Sequence, residues 1–371
     1  MLSRRIISFG QSIYWGQDSA GNQQLLSYYC KDSTVDTFPI AFLYIFRGAG
    51  GEPVINFANT CNQWDFSGTD LANCTIMAAD IKECQAAGKL ITLSLGGATG
   101  KVGFSSDSQA SSFADQVWNL FLRGESDIRP FGDVVLDGVD LDIESGTPAH
   151  YAAFVNRIRS NAGISKLNAT SFALKAADTT SHTNATTHHA NSNKTKATPV
   201  IDVTNKNKYY YITAAPQCPY PDAYIGAALN KAPFDAVYVQ FVRTYPCNNY
   251  CGLDQPSEYK FATWDNWAKT KSANPDVKVY IGAAGSPDSA GEGYVSVSKL
   301  ASYVWDAQEK YSSFGTNNRF DLGIKTAMAS GTDPERDVAH SYATGQSSTD
   351  PATRHYPAFA TARPVRLPTR Q

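Results

Sequence analysis

The chain has 371 residues, and its 32 Lys and Arg against 34 Asp and Glu leave a formal charge of −2. A balance that close argues against nucleic acid or an anionic membrane surface as an electrostatic partner. No run approaches eighteen consecutive apolar residues, so no segment reads as a membrane span, and the length suits one large domain or two small ones.

Met1 to Ser8 carries basic residues but no apolar core of secretory length. From there short apolar runs alternate with helix-like segments. Strands are expected at Ser12–Trp15, Ile40–Phe46, Leu90–Leu95, Gly138–Glu144, Tyr209–Ala215, Ala236–Phe241 and Val277–Ala283, with an eighth at Leu322–Met328. Helices are expected at Cys74–Ala87, Ser108–Leu122, Ala149–Asn161 and Ser298–Tyr311. Continuous apolar strands alternating with helices imply a parallel sheet covered on both faces. Seven or eight such units in about 330 residues fit an α/β fold of the TIM (β/α)8 barrel type. A doubly wound open sheet is the second choice, but no strand leads into a GxGxxG loop.

The segment Asp137-Gly138-Val139-Asp140-Leu141-Asp142-Ile143-Glu144 stands out. Side chains on a strand alternate faces, so Asp140, Asp142 and Glu144 share one side and Val139, Leu141 and Ile143 the other. An ordinary half-exposed strand also mixes acids with apolar residues, but here the row is unbroken and its flanks are strongly apolar. Carboxylates crowded in apolar surroundings push their pKa values apart, which produces a protonated acid beside an ionised partner. In a barrel, reacting groups sit at the C-terminal ends of strands, and Glu144 closes its strand.

This segment resembles the D-x-x-D-x-D-x-E signature of glycoside hydrolase family 18, the chitinases. Other segments resemble the plant class III and fungal branch of that family: Tyr14-Trp15-Gly16-Gln17 with Asp18 where Asn is usual, Ala41-Phe42-Leu43, Ser94-Leu95-Gly96-Gly97, Ala214-Ala215-Pro216-Gln217-Cys218-Pro219 and Val239-Gln240-Phe241. The likeness covers about residues 12–163 and 208–315. It implies a catalytic barrel over 1–330 that hydrolyses β-1,4-linked N-acetylglucosamine, acting as a monomer on chitin or chito-oligosaccharide with no cofactor and no metal. Glu144 is the implied proton donor. Asp142 holds the acetamido group that attacks the anomeric carbon, and Asp140 shares a proton with Asp142. Tyr14, Gln17, Phe42, Gly97 and Gln240 are the implied substrate-binding set. Two other readings share the barrel: a lectin-like chitin-binding protein, and an endo-β-N-acetylglucosaminidase acting on glycoproteins.

The seven cysteines leave one over in any full pairing. The resemblance implies the pairs Cys30–Cys84, Cys61–Cys74 and Cys218–Cys251, with Cys247 free. Disulfides and the Asn-x-Ser/Thr sequons at Asn73, Asn168, Asn184 and Asn193 point to a secreted, extracellular or cell-wall protein, although no signal peptide is visible. Three segments break the family pattern. Residues 164–207 form a Thr/Asn-rich low-complexity insertion, expected to be disordered and containing His182, His188 and His189. Val242–Cys247 replaces the Tyr with which the family holds the acetamido group, leaving Tyr245 as a substitute. From about Gly315 the family's last-strand Trp is missing, and 331–371 reads as a disordered tail. Either non-coding sequence translated into an ordinary gene product or divergence toward a weak or inactive protein accounts for all three.

Overall fold

The computed structural model describes residues 11–18, 21–61, 64–163, 208–242, 251–285, 287 and 293–315. Tyr245, Cys247, the insertion 164–207, the strand expected at Leu322–Met328 and the tail therefore lie outside the described residues.

Seven strands form one sheet: β1 Thr37–Ile45, β2 Val54–Ile55, β3 Leu90–Gly96, β4 Gly138–Asp142, β5 Tyr211–Ala214, β6 Ala236–Gln240 and β7 Lys278–Gly282. Their order is β2-β1-β3-β4-β5-β6-β7, parallel throughout except for β2, which returns antiparallel along the end of β1. Parallel bridges Ser12–Thr37 and Trp15–Ile40 set the first segment beside β1, and a parallel bridge Val279–Phe314 sets the chain beside β7. Parallel positions thus follow the chain without reversal, as in a (β/α)8 barrel and unlike a doubly wound sheet. The expected strands within the described residues appear with no end moved by more than three residues, except that Ser12–Trp15 is present only as bridges. The two-residue β2 was not anticipated, because nothing in so short an apolar pair distinguishes it from a loop.

The helices are α1 Leu26–Tyr29, α2 Ala78–Ala86, α3 Asp107–Phe121, α4 Tyr151–Asn161, α5 Gly226–Leu229, α6 Phe261–Thr270 and α7 Val297–Lys310. Helix α3 shows why its sequence is helical. Ser106 Oγ accepts the Gln109 N–H at 3.1 Å and starts it. Ala110, Phe113, Ala114, Val117, Leu120 and Phe121 then recur at helical spacing and are buried.

Strand alternation divides the interior in two. Ile91, Leu93, Leu95, Val139, Leu141, Ile212, Val237, Val239 and Val279 face the helices and form the main core. Tyr14, Phe42, Tyr211, Tyr238 and Tyr280 belong to a second cluster inside the ring of strands. Tyr238 and Tyr280 lie 5.5 Å apart between ring centroids, and Tyr14 meets Tyr238 edge-on at 6.4 Å. The barrel is thus packed with phenol rings beneath its C-terminal mouth. Disulfides Cys30–Cys84, Cys61–Cys74 and Cys218–Cys251 are formed as the resemblance implied, the first tying the end of α1 to α2. Among the described residues no helix is long and apolar enough to cross a membrane.

Candidate active site

The alternation expected for the acidic segment is observed. Val139, Leu141 and Ile143 are buried in the main core, and Asp140 and Asp142 turn inward with 0% and 4% exposure. Register does the rest of the placement. Asp140 lies between Ser94 on β3 and Thr213 on β5, and Asp142 lies beside Gly96. Gly96 has φ +114°, and a Cβ there would stand 2.1 Å from the Asp142 carbonyl oxygen. Only glycine permits that approach. The Gly97 N–H donates to the same carbonyl at 2.7 Å, fixing the backbone under Asp142.

Among the described residues no cation pairs with Asp140. Its Oδ2 accepts from Tyr14 OH at 2.7 Å and Ser94 Oγ at 2.8 Å, and its Oδ1 accepts from Thr213 Oγ1 at 2.6 Å. Burial pushes its carboxyl above the usual carboxylate range, and the three hydroxyls pull the other way. Asp142 is pushed up much further, first by burial, then by the charges of Glu144 and Asp140, and by the hydrogen bond it gives Glu144. Burial also raises Glu144, while hydrogen bonds from Asp142, Gln240 and Gln217 lower it. Asp142 and Glu144 are hydrogen-bonded to each other and therefore titrate as one unit.

Gln240, at the end of β6, binds this unit. Its Nε2 donates to Asp142 Oδ1 and to Ala215 O, both at 2.8 Å, and stands 3.5 Å from Glu144 Oε1. Phe42 is buried with its ring against Gly97, where an added Cβ would meet it at 2.8 Å. Tyr14 is 8% exposed and committed through its hydroxyl to Asp140. Gln17 sits further out, its amide nitrogen on Ala41 O at 2.7 Å and Asn56 O at 3.3 Å. The fold thus brings Tyr14, Phe42, Gly97 and Gln240 around the carboxylates, with Gln17 at the edge of the same strand ends.

Two participants escaped the sequence reading. Gln217 is 6% exposed and reaches Glu144. Asp222, 5% exposed, folds the β5 loop back: Oδ2 accepts the Gln217 N–H at 2.9 Å, and Oδ1 accepts the Tyr224 N–H at 2.8 Å and the Ile225 N–H. Its charge also bears on Asp142 and Glu144. The available signal was Pro221-Asp222, a turn pair whose Asp commonly caps backbone N–H groups. Among the described residues no cluster of three or more His, Cys, Asp or Glu is arranged to hold a metal ion.

The pattern described as Glycosyl hydrolases family 18 matches residues 12–293. Chitinase 2 of Rhizopus oligosporus is 43% identical over 305 residues, which are 81% of this chain and 47% of that protein. The chain thus spans about half the length of that relative. A class III chitinase of Arthroderma benhamiae is 34% identical, covering 90% of this chain and 93% of that protein. Among solved structures, the ICChI chitinase of Ipomoea carnea superposes with a TM-score of 0.61 at 26% identity, over 86% of this chain and 99% of that one.

Proposed function

The chain belongs to glycosyl hydrolase family 18, and from that premise we propose that it is an endo-acting chitinase cleaving β-1,4 bonds between N-acetylglucosamine units with retention. The observation that carries the reading is the row of buried Asp142 and half-buried Glu144 at the barrel mouth, with Gln240 Nε2 donating to Asp142 at 2.8 Å and standing 3.5 Å from Glu144. A carboxyl that keeps its proton near neutrality can protonate a glycosidic oxygen. Glu144 is the outermost of the row and takes that role. The acetamido oxygen of the sugar on the non-reducing side of the scissile bond attacks its own anomeric carbon, the C–O bond to the leaving sugar breaks, and the leaving oxygen takes the proton of Glu144. Asp142 accepts the acetamido N–H and balances the positive ring that forms. Water, deprotonated by Glu144, then opens that ring and restores the acid. Asp140 is a positioning residue, held by Tyr14, Ser94 and Thr213 so that its charge bears on Asp142. Gln17, Phe42, Gly97 and Gln240 line the sugar path, and Tyr245 replaces the family's acetamido-holding Tyr.

Family members named as chitinases support the substrate class. The three disulfides support a secreted or wall-associated location, since such bonds persist in oxidising compartments. The test is Glu144→Gln on a fluorogenic N-acetylglucosamine oligomer and on chitin beads. Turnover should fall by about a hundredfold or more, with bead binding kept. Proton NMR of the first product should show the β-anomer, and long oligomers should be cut internally. Near-normal turnover in the variant would refute the assignment of Glu144, and a first-formed α-anomer would refute retention.

A further inference from the structure

Trp64 is 74% exposed, and among the described residues no other tryptophan lies so open to solvent. It sits on a small ribbon closed by the Cys61–Cys74 disulfide. Asp65 and Ala72 pair antiparallel, the Asn73 N–H donates to Trp64 O at 2.7 Å, and the Phe66 N–H donates to Leu71 O at 2.9 Å. Trp64 and Asn73 are therefore directly opposed across the ribbon, and directly opposed side chains share a face with their Cβ atoms about 5 Å apart.

Asn73 opens the sequon Asn73-Cys74-Thr75. Its Oδ1 accepts the Thr75 N–H at 3.2 Å, and its Nδ2 makes no hydrogen bond among the described residues. Asn73 is half-buried and Thr75 exposed. We propose that Asn73 carries an N-linked oligosaccharide whose first N-acetylglucosamine lies on the ring of Trp64. The donor class is a lipid-pyrophosphate-linked oligosaccharide, used by a membrane-bound transferase. Asn73 Nδ2 forms a bond to the anomeric carbon, the bond from that carbon to the pyrophosphate oxygen breaks, the lipid pyrophosphate leaves, and a proton passes from the amide to a base. The transfer precedes closure of Cys61–Cys74, since Cys74 is the middle residue of the sequon and is fully buried once paired. The compartment that forms the disulfides is also the one where such transfer occurs. The proposal does not depend on the reading of the active site.

The test secretes the full chain from a yeast behind an added leader, as wild type, Asn73→Gln and Trp64→Ala. Peptide mass spectrometry before and after enzymatic release of N-glycans reads the occupancy of Asn73. The expected result is an occupied Asn73. Stripping the glycan should lower the wild-type Tm by roughly 2 °C, increase acrylamide quenching of tryptophan fluorescence, and do neither in Trp64→Ala. An unmodified Asn73 overturns the proposal. So does an occupied Asn73 whose removal leaves quenching unchanged. Should Trp64→Ala fail to fold, glycosylated wild type against Asn73→Gln gives the same quenching comparison. If unglycosylated Asn73→Gln binds chitin beads and Trp64→Ala added to it abolishes that binding with the fold intact, the ring serves the polysaccharide instead, and the glycan assignment falls.

Discussion

Gln240→Met keeps the volume at the end of β6 and removes one donor atom. That atom is Nε2, 2.8 Å from Asp142 Oδ1 and 3.5 Å from Glu144 Oε1. The first distance is a hydrogen bond and the second lies at the limit of one, so the loss falls mainly on Asp142. A hydrogen bond to a charged group contributes about 1.5–3 kcal/mol, and one pKa unit corresponds to about 1.4 kcal/mol. Removing a donor disfavours the ionised form, so the hydrogen-bonded unit of Asp142 and Glu144 should titrate higher. Both limbs of the kcat/KM–pH profile report that unit, and both should move to higher pH in the variant. The assay is kcat/KM on a fluorogenic N-acetylglucosamine oligomer across the full pH range. A profile that keeps its limbs and falls uniformly would show that Gln240 touches only the substrate, and the electrostatic reasoning would be wrong.

Glu144→Gln should stabilise the fold while it abolishes turnover. Glu144 is raised by burial, and a raised carboxyl contributes stability that is full below its unfolded pKa near 4.5 and is lost as pH rises through its higher folded pKa. The variant and wild type should therefore melt together near pH 4, with the variant ahead by about 2 °C or more by pH 8; an equal gap at both pH values would contradict the shift. Gly96→Ala should cost about 2–4 kcal/mol in urea unfolding and lower activity, because its Cβ would stand 2.1 Å from the Asp142 carbonyl oxygen at φ +114°. Gly68→Ala, at φ +79° with nothing within 4 Å, is the control and should cost only about 1–2 kcal/mol. Replacing both cysteines of the Cys61–Cys74 pair, 13 residues apart, should cost about 3 kcal/mol, and replacing Cys30 and Cys84, 54 apart, about 4 kcal/mol. A larger loss for the shorter loop would mean that native packing, not chain entropy, dominates.

The strand from Gly138 was legible because alternation is a local property: period two put Asp140, Asp142 and Glu144 on one side whatever the remainder of the chain did. The same locality limited the reading elsewhere. Tyr14 reads as an aromatic before a turn, and nothing near it in the sequence says that its hydroxyl meets Asp140, 126 residues away. Gln217 reads as part of a loop, and its approach to Glu144 depends on Asp222 capping three backbone N–H groups. The disulfide pairing came from likeness to relatives, since spacing alone cannot choose among the possible pairings.

The least legible feature is the one on which the chemistry depends. Asp235 and Asp140 are both buried aspartates at barrel strands. Asp235, just before β6, meets the guanidinium of Arg159 at 2.8 Å. Asp140, level through Thr213 with Ala236, the residue after Asp235, meets three hydroxyls. Both have their acceptor atoms satisfied, so hydrogen-bond counting does not separate them. Charge does. A guanidinium brings a compensating charge, whereas neutral hydroxyls bring none, and burial keeps the Asp140 carboxyl raised despite them. Among the described residues no Lys, Arg or His forms an ion pair with Asp140, Asp142 or Glu144. An arginine set against this row would pull its carboxyls down, and the site would lose its acid. Donors here are hydroxyls and amides because they satisfy oxygen atoms without neutralising them.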